Sequence, residues 1–421
     1  MSTVVSLPQR LAARLLALSF VFALAACGTD PIPKVVIPND PKTEDPDDDQ
    51  HDHPHLYPRL LIADHTDPSI KVLDLESDEI IETLTTKGPV RAVYAAATGR
   101  FGFAVQQSQN LTQIIDAGIW HVDHDDHEHF YEETPVLLAY EIAGQKPSDF
   151  AANGNQIGIF NDDDGSADIY SVSELTKAAP AGRTHQAEFA HHGIAVPMGD
   201  FTVISKAEDG GSRVAVEVRS ADDTIVDTFE PCDSLHGWAA RGDQVFIGCD
   251  DGVFAITKSG TNFTGKKVSG IRIGTLAAHP DQKYLIGDFR PDRNGITRID
   301  VSDDVTGDAI ISLTLGESRV RAFAIEPEHG KEVFVLTDDG SVHVVDIADW
   351  EVEQTLEDVI SSLDASPYGA MVVGDHVVFV ADPSKGEIVE LHFEAHKLEI
   401  EVVHQVGGTP HSIALIVPGA E

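Results

Sequence analysis

From Leu60 onward the chain is a succession of short apolar strands broken by Gly, Asp and Pro, and these strands recur in units. Arg321-Ala322-Phe323-Ala324-Ile325 leads to Val333-Phe334-Val335-Leu336, an Asp338-Asp339-Gly340 turn and Val342-His343-Val344-Val345-Asp346. Gly237-Trp238-Ala239-Ala240 leads in the same way to Val245-Phe246-Ile247-Gly248, Asp250-Asp251-Gly252 and Val253-Phe254-Ala255-Ile256. No window shows a sustained 3.6-residue period, so the fold class is all-β. A repeat of ~40–50 residues made of four short strands is the signature of a β-propeller blade, whose first strand lines a central channel. A sandwich or a β-helix fits that period poorly.

Opening strands fall near Arg91, Phe150, Gly193, Gly237, Gly274, Arg321, Gly369 and Ser412, which counts eight four-stranded blades. The irregular stretch between Gly193 and Phe229 leaves seven open. The last opening strand stands at the C-terminus without room for companions, while residues 59 to 84 hold three strands without an opener. The N-terminal strands are therefore expected to pair with the C-terminal strand and close the ring, which removes the exposed sheet edges. The propeller spans residues 57–421.

The chain begins differently. Arg10 and Arg14 precede an apolar run from Leu15 to Ala26, a secretory signal pattern over residues 1–26. Its ending, Leu24-Ala25-Ala26-Cys27, resembles a bacterial lipobox, which would make Cys27 the lipidated first residue of a periplasmic protein. Gly28 points to the outer membrane by enterobacterial sorting rules, and an ordinary signal cut would leave the protein free. Residues 27–56 read as a disordered tether, acidic and Pro-rich, closing in His51-Asp52-His53-Pro54-His55. Imidazoles and carboxylates on a flexible arm can capture a metal, weakly because ordering the arm costs entropy. In an oxidising compartment Cys232 and Cys249 are read as a disulfide in preference to a thiolate metal pair.

Charge narrows the partners. There are 29 Lys and Arg against 70 Asp and Glu, a formal charge of −41, so phosphate backbones and anionic lipid surfaces are repelled. Contact with a membrane is left to a lipid anchor. Self-repulsion makes a monomer the expected state. Cations are the natural partners, and 20 His supply ligands for borderline metals.

The densest group is His121, Asp123, His124, Asp125, Asp126, His127, Glu128 and His129, read as an insertion in a blade loop between Gln113-Ile114-Ile115-Asp116 and Val136-Leu137-Leu138-Ala139-Tyr140. Nitrogen donors with carboxylate charge compensation suit tetrahedral zinc, with nickel and copper(II) behind. A second set, His191, His192, His236 and His411, stands at or just before opening strands, where a propeller would ring them about one channel mouth. His65, His279, His329, His343, His376, His392, His396 and His404 read as surface or strand residues without an assigned role. No nucleophile elbow, phosphate loop, dinucleotide fingerprint or His-Glu-x-x-His helix is present in the sequence.

The signal, the His/Asp arm, residues 113 to 131 (Gln-Ile-Ile-Asp-Ala-Gly-Ile-Trp-His-Val-Asp-His-Asp-Asp-His-Glu-His-Phe-Tyr) and the propeller together resemble the AztD family of periplasmic zinc metallochaperones. That resemblance implies zinc binding and direct transfer to the solute-binding protein of a zinc ABC transporter, with the arm taking part and no turnover chemistry. The alternative is a periplasmic propeller enzyme, an oxidoreductase or lactonase, with a metal or cofactor at the channel-mouth His. A third reading is a metal-free scaffold that docks an envelope protein.

Overall fold

The computed structural model describes residues 57–124, 127–305, 307–363 and 366–419. The signal segment, Cys27 and the arm with His51, Asp52, His53 and His55 lie outside the described residues, as does Asp125.

Eight four-stranded antiparallel sheets form the blades of a β-propeller, and a separate two-stranded sheet is attached to one of them. The stretch from Gly193 to Phe229 that reads irregularly is a regular blade, with strands Ala195–Met198, Phe201–Ala207, Arg213–Ser220 and Ile225–Phe229. Its opening strand, Ala-Val-Pro-Met, is buried throughout, and register shifts at Lys206/Ala207 and Val218/Arg219 interrupt its ladders without breaking the four-stranded order. Eight is therefore the blade number.

Within a blade the strands are named A to D from the channel outward. The B and C strands are buried on both faces and read as continuous apolar runs, as in Glu332–Thr337, where every residue is buried. The D strands alternate or face solvent, as in Glu351–Leu356. First strands of neighbouring blades pack side by side around the ring, for example Trp238–Arg241 on Leu276–Ala278. Such close approach needs small residues. A Cβ on Gly158 would run into the carbonyl of Ala195, which belongs to the opening strand of the next blade.

The last blade is built from both ends of the chain. Pro410–Ile416 pairs antiparallel with Arg59–Asp64, from Arg59 opposite Ile416 to Asp64 opposite Pro410. Ser69–Asp74 and Glu79–Thr85 complete it. A polar clasp holds the seam. The Asp64 carboxylate accepts the Thr409 N–H at 3.1 Å and the Thr66 N–H and hydroxyl at 2.9 Å each. Lys71 stands 3.5 Å from the same carboxylate and donates to the carbonyls of Val406 and Gly407 at 2.9 Å. Burial alone would raise the Asp64 pKa, but these donors outweigh it and hold the group below the usual carboxylate range.

A disulfide joins Cys232 to Cys249 across 17 residues, and both cysteines are fully buried. It ties the segment before the Trp238–Arg241 strand to the end of the Gln244–Cys249 strand.

Because the Asp64 pKa is depressed in the fold, its contribution is present above the ordinary carboxylate pKa and fades as pH falls through the folded value. Asp64→Asn is expected to lower stability by roughly 1–3 kcal/mol at pH 7. Denaturant unfolding from pH 7 to pH 3 should show the difference from wild type shrinking in acid.

Candidate metal centre

The His-rich insertion is a β-hairpin, not an irregular loop. Ile119–His124 pairs with His127–Glu132 in register, from Ile119 opposite Glu132 to His124 opposite His127, between the C and D strands of the Ala92–Ala95 blade. Strand alternation then assigns positions to two faces. Positions 120, 122 and 124 share one face with 131, 129 and 127, so His124, His127 and His129 fall together beside Val122 and the Trp120–Tyr131 pair. Positions 121 and 123 share the other with 130 and 128, which groups His121 and Asp123 with Phe130 and Glu128. Residues directly opposite in such a pair have Cβ atoms about 4.5–5.5 Å apart.

The base of the hairpin is fastened to the ring. Trp120, 1% exposed, stacks on Tyr131 with ring centroids 5.0 Å apart, and the Arg100 guanidinium lies 3.7 Å from the Trp120 ring centre. Arg100 itself is held by Asp116 at 2.8 Å. Arg59, buried in the closing strand, donates to the carbonyls of Ala117 at 2.6 Å and Glu133 at 2.9 Å, and pairs with Glu132 at 2.7 Å. Gly118, at φ +73°, makes the bend into the first strand where a Cβ would strike the Glu133 carbonyl. The His121 N–H donates to the Gly419 carbonyl at 3.2 Å. The polar tip is thus carried on an apolar, cation-braced stem.

The four histidines expected at the channel mouth are distributed among different tasks. His191 is buried, with its two nitrogens at the Phe189 carbonyl and the Ser205 hydroxyl, both 2.7 Å away, and burial lowers its pKa. His411 has both nitrogens at carbonyl oxygens, of Ala63 and Val90, each at 3.1 Å, and lies 5.2 Å ring to ring from His65. Both nitrogens of His191 are thus engaged, and the His411 ring is flanked by backbone carbonyls on both edges. His192 and His236 are neighbours with ring centroids 5.4 Å apart. Nδ1 of His192 faces Asp162 at 3.0 Å and Nδ1 of His236 faces the Gly274 carbonyl at 2.8 Å, which leaves each Nε2 free to act as a donor. Burial, then the nearby His192, Arg213 and Arg290 charges, lowers the His236 pKa and favours the neutral ring. Two imidazoles fall short of the four donors of a closed zinc site. Among the described residues, no three donor atoms of the mouth set lie within 4.8 Å of one another.

Four of the eight histidines without an assigned role stand in His/carboxylate groups. His404 lies 2.8 Å from Glu390 in a group with Asp78. His329, His376 and His396 meet Glu326, Glu328, Asp375, Glu332 and Glu353. The groups around His329, His376 and His396 draw on A–B and C–D turns far apart in the chain, whereas Glu390 and His404 lie within paired strands. The blade repeat, laid in register, is the signal that would have gathered them.

No protein-family model matches the chain. It is 29% identical over 371 residues to the zinc chaperone AztD of Citrobacter koseri, covering 85% of this chain and 86% of that protein. The crystal structure of Citrobacter koseri AztD superposes with a TM-score of 0.79 at 26% identity, over 87% of this chain and 99% of that one. The resemblance read from the sequence therefore extends through the propeller, and the protein it meets there is named a chaperone, not an enzyme. The dihydro-heme d1 dehydrogenase NirN, 12% identical with a TM-score of 0.54, covers 84% of this chain and 74% of its own. Kluyveromyces lactis Hsv2, 8% identical with a TM-score of 0.50, covers 76% and 99%. At those identities the fold alone is shared.

Beside His192, Oδ2 of Asp149 is shut off from solvent without a hydrogen-bond partner. Burial pushes its pKa up to about 7, against the pull of the Trp238 side chain, the His192 charge and the Ala195 N–H. Between the ordinary carboxylate pKa and about 7 the folded state keeps a proton that the unfolded state has lost, so this group makes stability fall as pH rises. Asp149→Asn removes that dependence. Its stability relative to wild type should rise from pH 4 to pH 8 by on the order of a few kcal/mol, as read by denaturant unfolding.

Proposed function

Starting from the similarity to AztD, we propose that this chain is a periplasmic zinc chaperone. It captures zinc at the 119–132 hairpin and transfers the ion directly to the solute-binding protein of a zinc ABC transporter. The observation that carries this reading is the hairpin register, which gathers His124, His127 and His129 on one face of a stem braced by Arg59 and Arg100. His121, Asp123 and Asp125 complete the donor supply of the tip, and the carboxylates offset the charge of the ion. Asp123 stands opposite Glu128 in the ladder, and a bound cation would relieve that pairing of like charges.

Transfer follows from ligand exchange. A two-stranded ribbon would let an incoming imidazole reach the ion while the first donors still hold it, so zinc would not enter solution free. The His51, Asp52, His53 and His55 arm acts as a second, weaker donor group that ferries the ion between surfaces. His192 and His236 offer a separate pair of imidazole donors at the opposite end of the propeller from the hairpin, with His191 and His411 holding the surrounding backbone. Cys27 anchors the chain by its lipid to the outer membrane, and the chaperone works as a monomer. No helix among the described residues is long and apolar enough to cross a membrane.

His124→Ala with His127→Ala is expected to weaken the tightest zinc affinity by more than about 100-fold while leaving the fold intact. Competition against a chromophoric chelator measures it, and unchanged affinity would move the site off the hairpin. Deleting residues 51–55 should slow zinc transfer to the purified solute-binding protein without altering equilibrium affinity at the hairpin. Equal transfer rates would remove the arm from the mechanism.

A further inference from the structure

A second His/carboxylate cluster lies in a cleft of about 200 Å³ between two other blades, those opened by Val320–Ile325 and Met371–Gly374. Three turns meet there: residues 326–331 and the Asp375-His376 turn, each an A–B turn, and the Ala395-His396 turn, a C–D turn. Antiparallel alternation puts all A–B and C–D turns at the same end of the propeller, which is also the end that carries the hairpin.

The first turn is rigid. The buried Glu326 carboxylate accepts the N–H groups of Glu328, His329 and Gly330 at 2.5, 2.8 and 2.9 Å. His279 Nε2, from a neighbouring blade, meets the Pro327 carbonyl at 2.9 Å. Those contacts present Glu328 and His329 outward, toward the next blade. From that blade His376 approaches at φ +55°, a conformation that costs a non-glycine residue energy and is often kept where a side chain must be aimed.

The orientation of His376 is the decisive observation. Its Nδ1 faces the Phe393 carbonyl at 3.1 Å, so that nitrogen carries the proton and donates it. Nε2 is left with its lone pair, and it faces Glu328 Oε2 at 3.5 Å and Asp375 Oδ1 at 3.6 Å. A lone pair set against two carboxylate oxygens is repulsive, and these separations are too long for good hydrogen bonds if the ring is protonated. They are the separations expected around a metal. Donors about 2.0–2.2 Å from a tetrahedral ion stand roughly 3.3–3.6 Å from one another. The Nδ1–H to carbonyl contact behind the ring is the usual support of a metal-binding imidazole. On the far side of Glu328, His329 Nδ1 lies 3.3 Å from the same Oε2.

The adjoining half of the cleft adds negative charge. Glu332 is 4% exposed, and His396 Nδ1 approaches its carboxylate at 3.1 Å and that of Glu353 at 3.6 Å. A desolvated carboxylate beside others is costly unless a cation is near.

We propose that this cleft is a second zinc site, in which His376 Nε2, Glu328 and Asp375 bind the ion and His329 supplies the fourth donor by turning its half-exposed ring. The mixed N/O set favours zinc over calcium or magnesium, which take oxygen ligands. The site is independent of the hairpin and does not depend on a role in transfer.

The test is zinc stoichiometry and affinity of the full chain by equilibrium competition, in wild type and in the His124→Ala/His127→Ala background. His376→Ala and Asp375→Asn should each remove one zinc, or weaken it at least tenfold, in both backgrounds. Both side chains are more than half exposed, and melting without metal should match the parent protein. Cobalt(II) added to the hairpin-deficient chain should give visible bands that His376→Ala abolishes. Unchanged zinc binding in His376→Ala, or displacement of the zinc by equimolar calcium, would overturn the proposal.

Discussion

The antiparallel pairing of Arg59–Asp64 with Pro410–Ile416 is the interaction on which the rest of the structure depends. Each blade buries its inner strands only because a neighbour stands on either side, so an open ring would expose two apolar sheet faces and an unpaired edge. The seam is mostly backbone ladder and apolar packing, with Leu60, Leu61 and Ile62 essentially without exposure. Asp64 and Lys71 add direction, since their donors and acceptors come from the far end of the chain. A charged group this buried is stable only because each side of it is met.

Arg59 extends that constraint to the candidate metal hairpin. It lies in the closing strand, yet three of its contacts are with residues at the hairpin base. The strand that closes the ring thus also braces the base of the hairpin. The stem is stiff where Trp120, Tyr131 and Arg100 stack, and polar where His and Asp take over toward the tip.

Histidine serves two ends in this molecule. His185, His191 and His343 are buried, each with both nitrogens at hydrogen-bonding distance from a partner, and burial lowers their pKa values. They are polar packing residues. His376 and His396 sit at tight turns with open nitrogens facing carboxylates. Residue type does not separate these classes, and neither does position along a strand. What separates them is whether the local hydrogen bonds consume the lone pair.

The strand period, the missing opener at the N-terminus and the orphan strand at the C-terminus were enough to read eight blades and their closure, because those features are local or counted along the chain. The His/Asp cluster at 121–129 was equally legible, since contiguous donors announce themselves. Its hairpin form was not, because a tip of His and Asp lacks the apolar alternation of a strand and is held by Trp120, Tyr131 and Arg100 from outside it. The channel-mouth set shows the same limit in reverse: placement before opening strands was readable, but which nitrogens were already taken was not. Likewise the cleft of Glu328, Asp375 and His376 exists only where two blades meet, and ring geometry alone could bring it together. Periodicity and composition act through neighbours in sequence, so the chain by itself determined the blades, the closure and the charge. Donor geometry acts through neighbours in space, and tertiary structure decided which ring nitrogens meet backbone and hydroxyl partners and which face carboxylates.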